Sequence, residues 1–505
     1  RDPEMSRGLG DVYKRQFSQW PAELSVPRLA VYGLLLAGIF AVGYATLRFG
    51  LAGAAVACLP MVACVTIVAV YRPGWAMLGL FTINYFIMAL RHWVSFPIGL
   101  ILDAAILFNF AVLLFRTLYG GVGWSRARNG LTLAALLWLI YCVLELTNPN
   151  AAAFGVAMTA IRSYALYFLL IVILTAVSFD RYKYLPALLG LWSVLTLLAV
   201  GKACIQKFIG FSPAEINWLF YEGGRTTHLL STGVRYFSFF SDAANFGSSM
   251  GLSMVVLSIA SLYYRNPWMR LYMVAVAAAA CYGMLISGTR SALAVPFAGY
   301  ALFIVMSRRV KIILTGAVLL LGVFLFLNYT TIGQGNAVIR RARSAFNLQD
   351  KSFVLRMENQ AKLRTIMRDK PFGAGLGHGG GKALAYAPEA ETSQIPTDSW
   401  FVMVWVETGI VGLLLHLAVL CYAVGRGVFL VMYRLRDSRV KGFTAALTAG
   451  IFGVAVASYA NEIFGQIPNG AMMYVFMALI FLSPRFDREL APTDQAPAAQ
   501  IPGKA

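Results

Sequence analysis

Charge is scarce in this chain: of 505 residues only 13% are Asp, Glu, Lys or Arg, against about a quarter in a soluble domain. That scarcity excludes the string of soluble domains that the length alone would permit. Histidine is rarer still, four residues scattered along the sequence, and nothing in their spacing signals a metal site. The six cysteines (Cys58, Cys64, Cys142, Cys204, Cys281 and Cys421) all fall inside apolar runs without ligand-type spacing, which argues against a disulfide framework. Neither a P-loop nor a dinucleotide fingerprint occurs. No cofactor and no metal are expected.

Apolar residues fill the chain instead, at 59% of the total and with a mean hydropathy of +0.69. Runs long enough to cross the hydrocarbon recur from Val31 to Leu482. In lipid such runs are helical, because every backbone N–H and C=O must be satisfied within its own segment. The expected fold is an all-α polytopic integral membrane protein with about 12–14 transmembrane helices. The spans read at about 28–47, 51–70, 74–90, 98–115, 131–146, 162–178 and 184–206, then about 243–262, 270–287, 292–306, 311–328, 400–424, 442–459 and 471–483. Some are short enough to be arms of a kinked or re-entrant helix. Residues 1–16 are polar and are set aside as an assembly scar. No cleavable signal is read before the first span, which is expected to act as the insertion signal. Residues 484–505 are expected to form a disordered cytoplasmic tail.

The positive-inside rule orients these spans. Short basic loops alternate along the list: Arg116, Arg126 and Arg128; Arg181 and Lys183; Arg265 and Arg270; Arg308, Arg309 and Lys311; Arg434, Arg436, Arg439 and Lys441. Placing them in the cytoplasm puts both termini inside and two long connections, about 207–241 and 329–399, outside. The second is basic in its first half (Arg340, Arg341, Arg343, Lys351, Arg356, Lys362, Arg364, Arg368). Loops of that length escape the charge rule, so the cations need another reason: anionic lipid headgroups or an anionic substrate. Residues 353–368 read as an amphipathic helix with Phe353, Met357, Leu363 and Met367 on its apolar side, capped by Ser352 and ended before Pro371. The run Gly373–Gly381 that follows reads as a flexible turn, or as bare backbone able to approach a ligand.

Three arginines sit at outward ends of apolar helices, where a charge is costly to desolvate: Arg235 in Gly233–Asp242, Arg290 in Ser287–Ala292, and Arg356. Snorkelling to the interface explains any one of them. Arg290 fits that explanation least, because only a tight turn separates its two spans.

Four stretches together carry a resemblance to the O-antigen ligase and O-antigen polymerase superfamily. Arg235 to Phe246, ending Ser-Asp-Ala-Ala-Asn-Phe, resembles the family's arginine followed by an Asp-Pro-Asn-like element. Ser287 to Ala292 is similar to its Thr/Ser-rich arginine turn. Lys370-Pro-Phe-Gly-Ala-Gly-Leu-Gly377 looks like its glycine-rich stretch after an outer-loop helix. Thr397-Asp-Ser-Trp400 through Gly412 resembles the element that re-enters the membrane. Many members carry His-Asn where this chain has Thr397 and Asp398, a departure that leans towards polymerase and away from a lipid A–core ligase.

The resemblance implies a metal-independent glycosyltransferase of the bacterial inner membrane, acting at the periplasmic face on an undecaprenyl-diphosphate-linked glycan. Its implied partners are that glycan, the lipid bilayer and other polysaccharide-assembly membrane proteins, and no nucleic acid. Such transfer needs a base for the acceptor proton and cations for the departing pyrophosphate. The expected diphosphate clamp is Arg290 and Arg235, with Arg356 as a third contributor. Candidate bases are Asp398, then His378. Glu407 is either a base or the ion-pair partner of a clamp arginine, and Asp398 either a base or a helix N-cap. A ligase is the alternative within the family, and a polysaccharide flippase the alternative outside it.

The orientation has a direct test. A cysteine placed at Ala385 is expected to react with an impermeant thiol reagent on intact cells, and one placed at Ser438 to be protected. The reverse pattern inverts the topology and removes the outward site.

Overall fold

The computed structural model describes residues 65–92, 97–118, 121–150, 154–230, 233–335, 337–346, 351–380 and 383–491, with Ala37 and Gln349. The chain divides into two compact units, Arg1–Tyr71 and Arg72–Ala505. In the first, residues 65–71 are helical. The expected span at about 28–47, most of that at about 51–70, the scar at 1–16, Cys58, Cys64 and the tail beyond 491 lie outside the described residues.

The second unit is an all-α multi-pass membrane bundle. Its helices are α1 (Pro73–Phe86), α2 (Gly99–Leu118), α3 (Gly130–Leu144), α4 (Phe154–Ile161), α5 (Tyr167–Ser178), α6 (Tyr184–Phe208), α7 (Pro213–Tyr221) and α8 (Ala243–Ser261). They continue with α9 (Pro267–Ile286), α10 (Ala294–Met306), α11 (Val310–Tyr329), α12 (Ala337–Arg343), α13 (Lys351–Ile366), α14 (Trp400–Phe429), α15 (Ser438–Ala457) and α16 (Asn469–Leu490). Eleven helices among the described residues are long and apolar enough to cross a membrane, and Ser291–Met306 is a shorter apolar one. Twelve of the expected spans thus have a helix. α4 and α5 form one span through a π turn at Arg162–Leu166.

Helix α8 is the hub and is buried around nearly its whole circumference. Its small residues permit this, because without a hydrophobic drive between helices in lipid, close backbone approach supplies the packing. A methyl group at Gly251 would lie 3.2 Å from the Ala292 carbonyl and 3.3 Å from Met284 Sδ.

The basic loops chosen by the charge rule do gather at one end. Arg308 donates to the Met432 carbonyl, and Arg126 to that of Val177. Asp487 accepts the backbone N–H groups of Arg436 and Asp437, and Glu489 that of Tyr182. These bonds also correct the expected tail: residues 484–490 continue α16. Pro484 lies inside that helix and cannot donate to the Ile480 carbonyl. The Ser483 hydroxyl donates to it instead, at 2.7 Å.

A sharp irregularity lies in α14, at Gly409 (φ 66°, ψ −172°), a region open essentially to glycine alone. Trp400 Nε1 donates to His416 Nε2 at 2.9 Å, yet sixteen residues of straight helix would set them about 24 Å apart. The helix therefore folds back on itself. Residues 400–408 are a short re-entrant arm and residues 410–429 make the crossing, a correction to the single span expected from Trp400. Backbone groups freed by the reversal are satisfied from elsewhere, as an apolar surrounding requires. Ala374 N–H donates to the Val406 carbonyl at 2.7 Å and Val411 N–H to that of Pro371 at 3.5 Å. Tyr141 Oη donates to the Thr408 carbonyl at 2.7 Å. The glycine-rich run is thus no free turn: residues 373–377 are buried against the reversal.

Helix α13 also departs from expectation. It begins at Lys351, so Ser352 lies within it, and Met357 is exposed while Asn359, Leu363 and Met367 are buried. Towards its C-terminal end Leu363 and Met367 pack with Ala374, Val402 and Val406.

A Cβ at Gly409 would strike the Pro371 carbonyl. Gly409→Ala is therefore expected to lower stability by at least about 1–3 kcal/mol from backbone strain alone, read as a lower melting temperature in detergent. Gly425→Ala, where an added Cβ meets nothing, should cause no loss.

Candidate functional site

Four segments meet at the end of the bundle opposite the basic loops: residues 224–230 with 233–242, the turn 287–293, the described parts of the long connection before α14 (337–346, 351–380 and 383–399), and the turn 458–468. The first is built on His228. Its Nε2 accepts the Ala243 N–H at 3.1 Å, so the ring proton sits on Nδ1, 2.9 Å from the Gly224 carbonyl. Trp218 and Phe237 pack edge-on against the ring. A short antiparallel pair, Leu229–Leu230 with Gly233–Val234, then delivers Arg235, whose N–H donates to the His228 carbonyl at 2.9 Å. Asp242 caps α8 through the N–H groups of Ala244 and Asn245.

The Arg235 guanidinium reaches the turn between α9 and α10. Nη2 donates to Thr289 Oγ1 at 2.8 Å and Nη1 to the Thr227 carbonyl at 3.0 Å. Thr289 Oγ1 in turn donates to the Ala243 carbonyl at 2.8 Å. From the other side Arg341 Nε donates to the Gly288 carbonyl. A Cβ at Gly288 (φ +58°) would lie 3.0 Å from Arg341 Nε and 3.4 Å from Arg235 Cγ, so glycine lets both side chains close on the turn. Met284, Thr289, Arg290, Val338 and Arg341 are among the residues lining a small hollow here.

Burial pushes the Arg235 pKa down to about 10, and the charges of Arg341 and Arg290 add to that effect while Asp242 opposes it. The group stays cationic at neutral pH. Its Nε is buried without a hydrogen-bond partner. Three guanidinium groups held within reach of one another repel unless an anion lies between them, and their planar donor forks match phosphate oxygens.

Next to the arginines lies a set of carboxylates. Asn461 Nδ2 donates to Ser291 Oγ, beside Arg290, at 3.4 Å, and the Asn461 carbonyl accepts Trp400 N–H at 3.2 Å. Thr397 Oγ1 donates to Glu462 Oε1. A Cβ at Gly380 would sit 3.2 Å from Glu462 Oε2, and one at Gly379 3.1 Å from Glu407 Cγ. The glycine run thus passes between the two acids. Tyr164 Oη donates to Glu407 Oε2 at 2.7 Å.

The expected residues divide accordingly. Arg235 and Arg290 come together at one turn, and the third cation bearing on Arg235 is Arg341 rather than Arg356. Arg356 sits half-buried on α13 with its Nε unpartnered. His378 Nδ1 lies 2.6 Å from the Ala374 carbonyl, within the glycine run. Glu407 is hydrogen-bonded to Tyr164 and to the backbone of Gly377 and Gly379, not to a clamp arginine. Asp398 is exposed and left-handed (φ 47°), and Ser399 caps the arm that follows, accepting Val402 N–H. Arg341 and Glu462 were not singled out. In the sequence Arg341 is one cation in a basic run, whereas the Asn461-Glu462 pair, polar between two apolar spans, was a usable signal.

Fold and site define a multi-pass membrane protein with a polar, cation-rich site at one end of its bundle. The comparisons bear out the superfamily of O-antigen ligases and O-antigen polymerases. Residues 273–417 match the family model described as O-Antigen ligase. A protein of Salmonella muenchen named O-antigen polymerase is 25% identical over 307 residues, which cover 56% of this chain and 70% of that one. Arg290, Arg341, Arg356, His378, Asp398 and Glu407 fall inside the matched segment, and Arg235 and Glu462 outside it.

The cap has a test of its own. Ser399→Ala is expected to cost about 1 kcal/mol, seen as a lower melting temperature, whereas Asp398→Asn should leave stability unchanged. Equal losses would mean that Asp398 shares the capping.

Proposed function

We propose that the protein is a glycosyltransferase of the inner membrane that extends undecaprenyl-diphosphate-linked oligosaccharide units at the periplasmic face. The observation that carries this reading is the convergence of Arg235, Arg290 and Arg341 on the Gly288–Arg290 turn. In the transfer, the acceptor oxygen attacks the anomeric carbon and the bond to the diphosphate breaks. Negative charge grows on the leaving pyrophosphate, where preorganised cations stabilise the transition state more than the ground state. The acids beside the cluster (Asp398, Glu407 and Glu462) and His378 are the groups at hand for the acceptor proton.

The name of the Salmonella relative supports a polymerase, as does Thr397-Asp398 in place of His-Asn. The description of the family model supports the second reading, a ligase that moves the glycan to lipid A–core or another acceptor. Broken helices are also a transporter feature, but the freed groups at Gly409 are filled by residues 371–374 and Tyr141.

Incubating purified protein with an undecaprenyl-diphosphate oligosaccharide should yield a ladder of longer lipid-linked chains without added lipid A–core. Products only on adding lipid A–core would favour the ligase, and no turnover with any acceptor would overturn transfer altogether. In the same assay Arg290→Lys is expected to lose roughly a hundredfold in rate, about 3 kcal/mol, because a point charge cannot replace the bidentate fork. Near-normal chain growth by that variant would mark Arg290 as a lipid-facing cation.

A further inference from the structure

Helix α13 carries its charges and its amides on opposite sides. Glu358, Lys362, Arg364 and Arg368 are exposed, whereas Arg356, Asn359, Gln360, Leu363 and Met367 are half-buried or buried, at the three- and four-residue spacing of one helix face. One end of that face is apolar: Leu363 and Met367 pack with Ala374, Val402 and Val406. A turn earlier the same face is polar. Arg356 Nε and Gln360 Nε2 are buried there without a hydrogen-bond partner among the described residues, and Asn359 is only 6% exposed.

A second segment brings polar groups in the same condition. The 3₁₀ turn Glu391–Gln394 is fixed by Ser393 N–H donating to the Ala390 carbonyl at 3.0 Å and Gln394 Nε2 donating to that of Pro388 at 2.7 Å. Thr392 is 2% exposed and Ser393 8%, yet neither hydroxyl has a hydrogen-bond partner among the described residues. Ile395, just past the turn, packs against the apolar cluster that holds Leu363 and Met367, so the turn runs beside the helix. Buried polar groups are nearly always hydrogen-bonded, and each unmet one lowers stability. Four of them on two adjoining segments mark a place suited to a hydrogen-bonding ligand.

We propose that this face of α13 and the 391–394 turn form a glycan subsite, holding sugars of the lipid-linked substrate beyond the one joined to the diphosphate. The proposal rests on the glycosyl-transfer reading above. Sugar hydroxyls both donate and accept; amides and side-chain hydroxyls do the same, and a guanidinium adds donors. Arg356 is the one cation of the set, beside neutral Asn359, Gln360, Thr392 and Ser393. That balance fits a polyhydroxyl chain, whereas a diphosphate is better met at the arginine turn. The location agrees. Thr397 follows Ser393 by four residues, at most about 14 Å of chain, and its hydroxyl donates to Glu462. The neighbouring Asn461 is bonded to Ser291, the residue after Arg290. A glycan whose diphosphate lies at the arginine turn can thus run past Thr397 to α13, and Arg356 serves the sugar rather than the leaving group.

The test uses full-length protein in detergent and two probes, undecaprenyl diphosphate and an undecaprenyl-diphosphate oligosaccharide, with chain growth followed in parallel. Wild type should bind the oligosaccharide form more tightly. Thr392→Val and Gln360→Met remove hydrogen-bonding atoms and keep the shape. Each should weaken oligosaccharide binding about tenfold and leave undecaprenyl diphosphate binding unchanged, and Ser393→Ala should act in the same direction. Melting temperatures should stay level or rise, because a buried atom without a partner is lost. Equal weakening of both probes would place the effect at the diphosphate and overturn the proposal. A lower melting temperature with oligosaccharide binding intact would make these groups a structural network bridged by water, and would overturn it as well. Sugar-dependent binding that the variants abolish, in a wild type that transfers glycan to no acceptor, would uphold the subsite and remove the transfer reading. Chain growth by a wild type that binds both probes equally would do the reverse.

Discussion

The reversal of α14 at Gly409 is the constraint on which the site end of the bundle depends. A backbone that turns back inside an apolar bundle strands N–H and C=O groups, and each unsatisfied group costs several kcal/mol. The chain meets this by laying residues 371–374 across the break and bringing Tyr141 to the Thr408 carbonyl. The glycines follow from that contact. Between Pro371 and Gly409 there is no room for a Cβ, and between Gly379 and Glu407 one would be a tight fit. A stretch that composition describes as flexible becomes a docked part of the bundle, which in turn fixes Glu407, His378 and the entry to the re-entrant arm.

On the other side of the site the organising feature is like charge. Arg235, Arg290 and Arg341 come from three parts of the chain and share one turn. Their mutual repulsion is eased by the Thr227 and Gly288 carbonyls, the Thr289 hydroxyl and the charge of Asp242. The Asn461–Ser291 bond then joins this cationic turn to the carboxylates around the glycine run.

Much of this was legible in residues alone. Span positions follow from hydropathy, a local property, and every span expected within the described residues has a helix. The ends of the bundle follow from where short basic loops fall. Arg235 and Arg290 stood out because an arginine in a tight turn between apolar helices is expensive. Asp398 was misjudged as a possible cap because Asp before an apolar run and Ser before an apolar run look alike, and only backbone angles show which one begins the helix. The face of α13 was misjudged for a related reason. Amphipathic spacing presumes one apolar stripe against the bundle, whereas here polar Asn359 is buried beside Leu363 and Met367 and Met357 is exposed.

By itself the sequence determined that this is a polytopic helical membrane protein, how its spans alternate, and that arginines collect at one end, because the cost of placing charge or bare backbone in hydrocarbon acts residue by residue. Tertiary structure alone decided that α14 folds back, that Arg341 rather than Arg356 stands beside Arg235, and that Glu462 meets Thr397. Those outcomes rest on hydrogen bonds between residues tens to hundreds of positions apart. No local pattern encodes which of several equivalent cations or acids the packing of the helices will bring together.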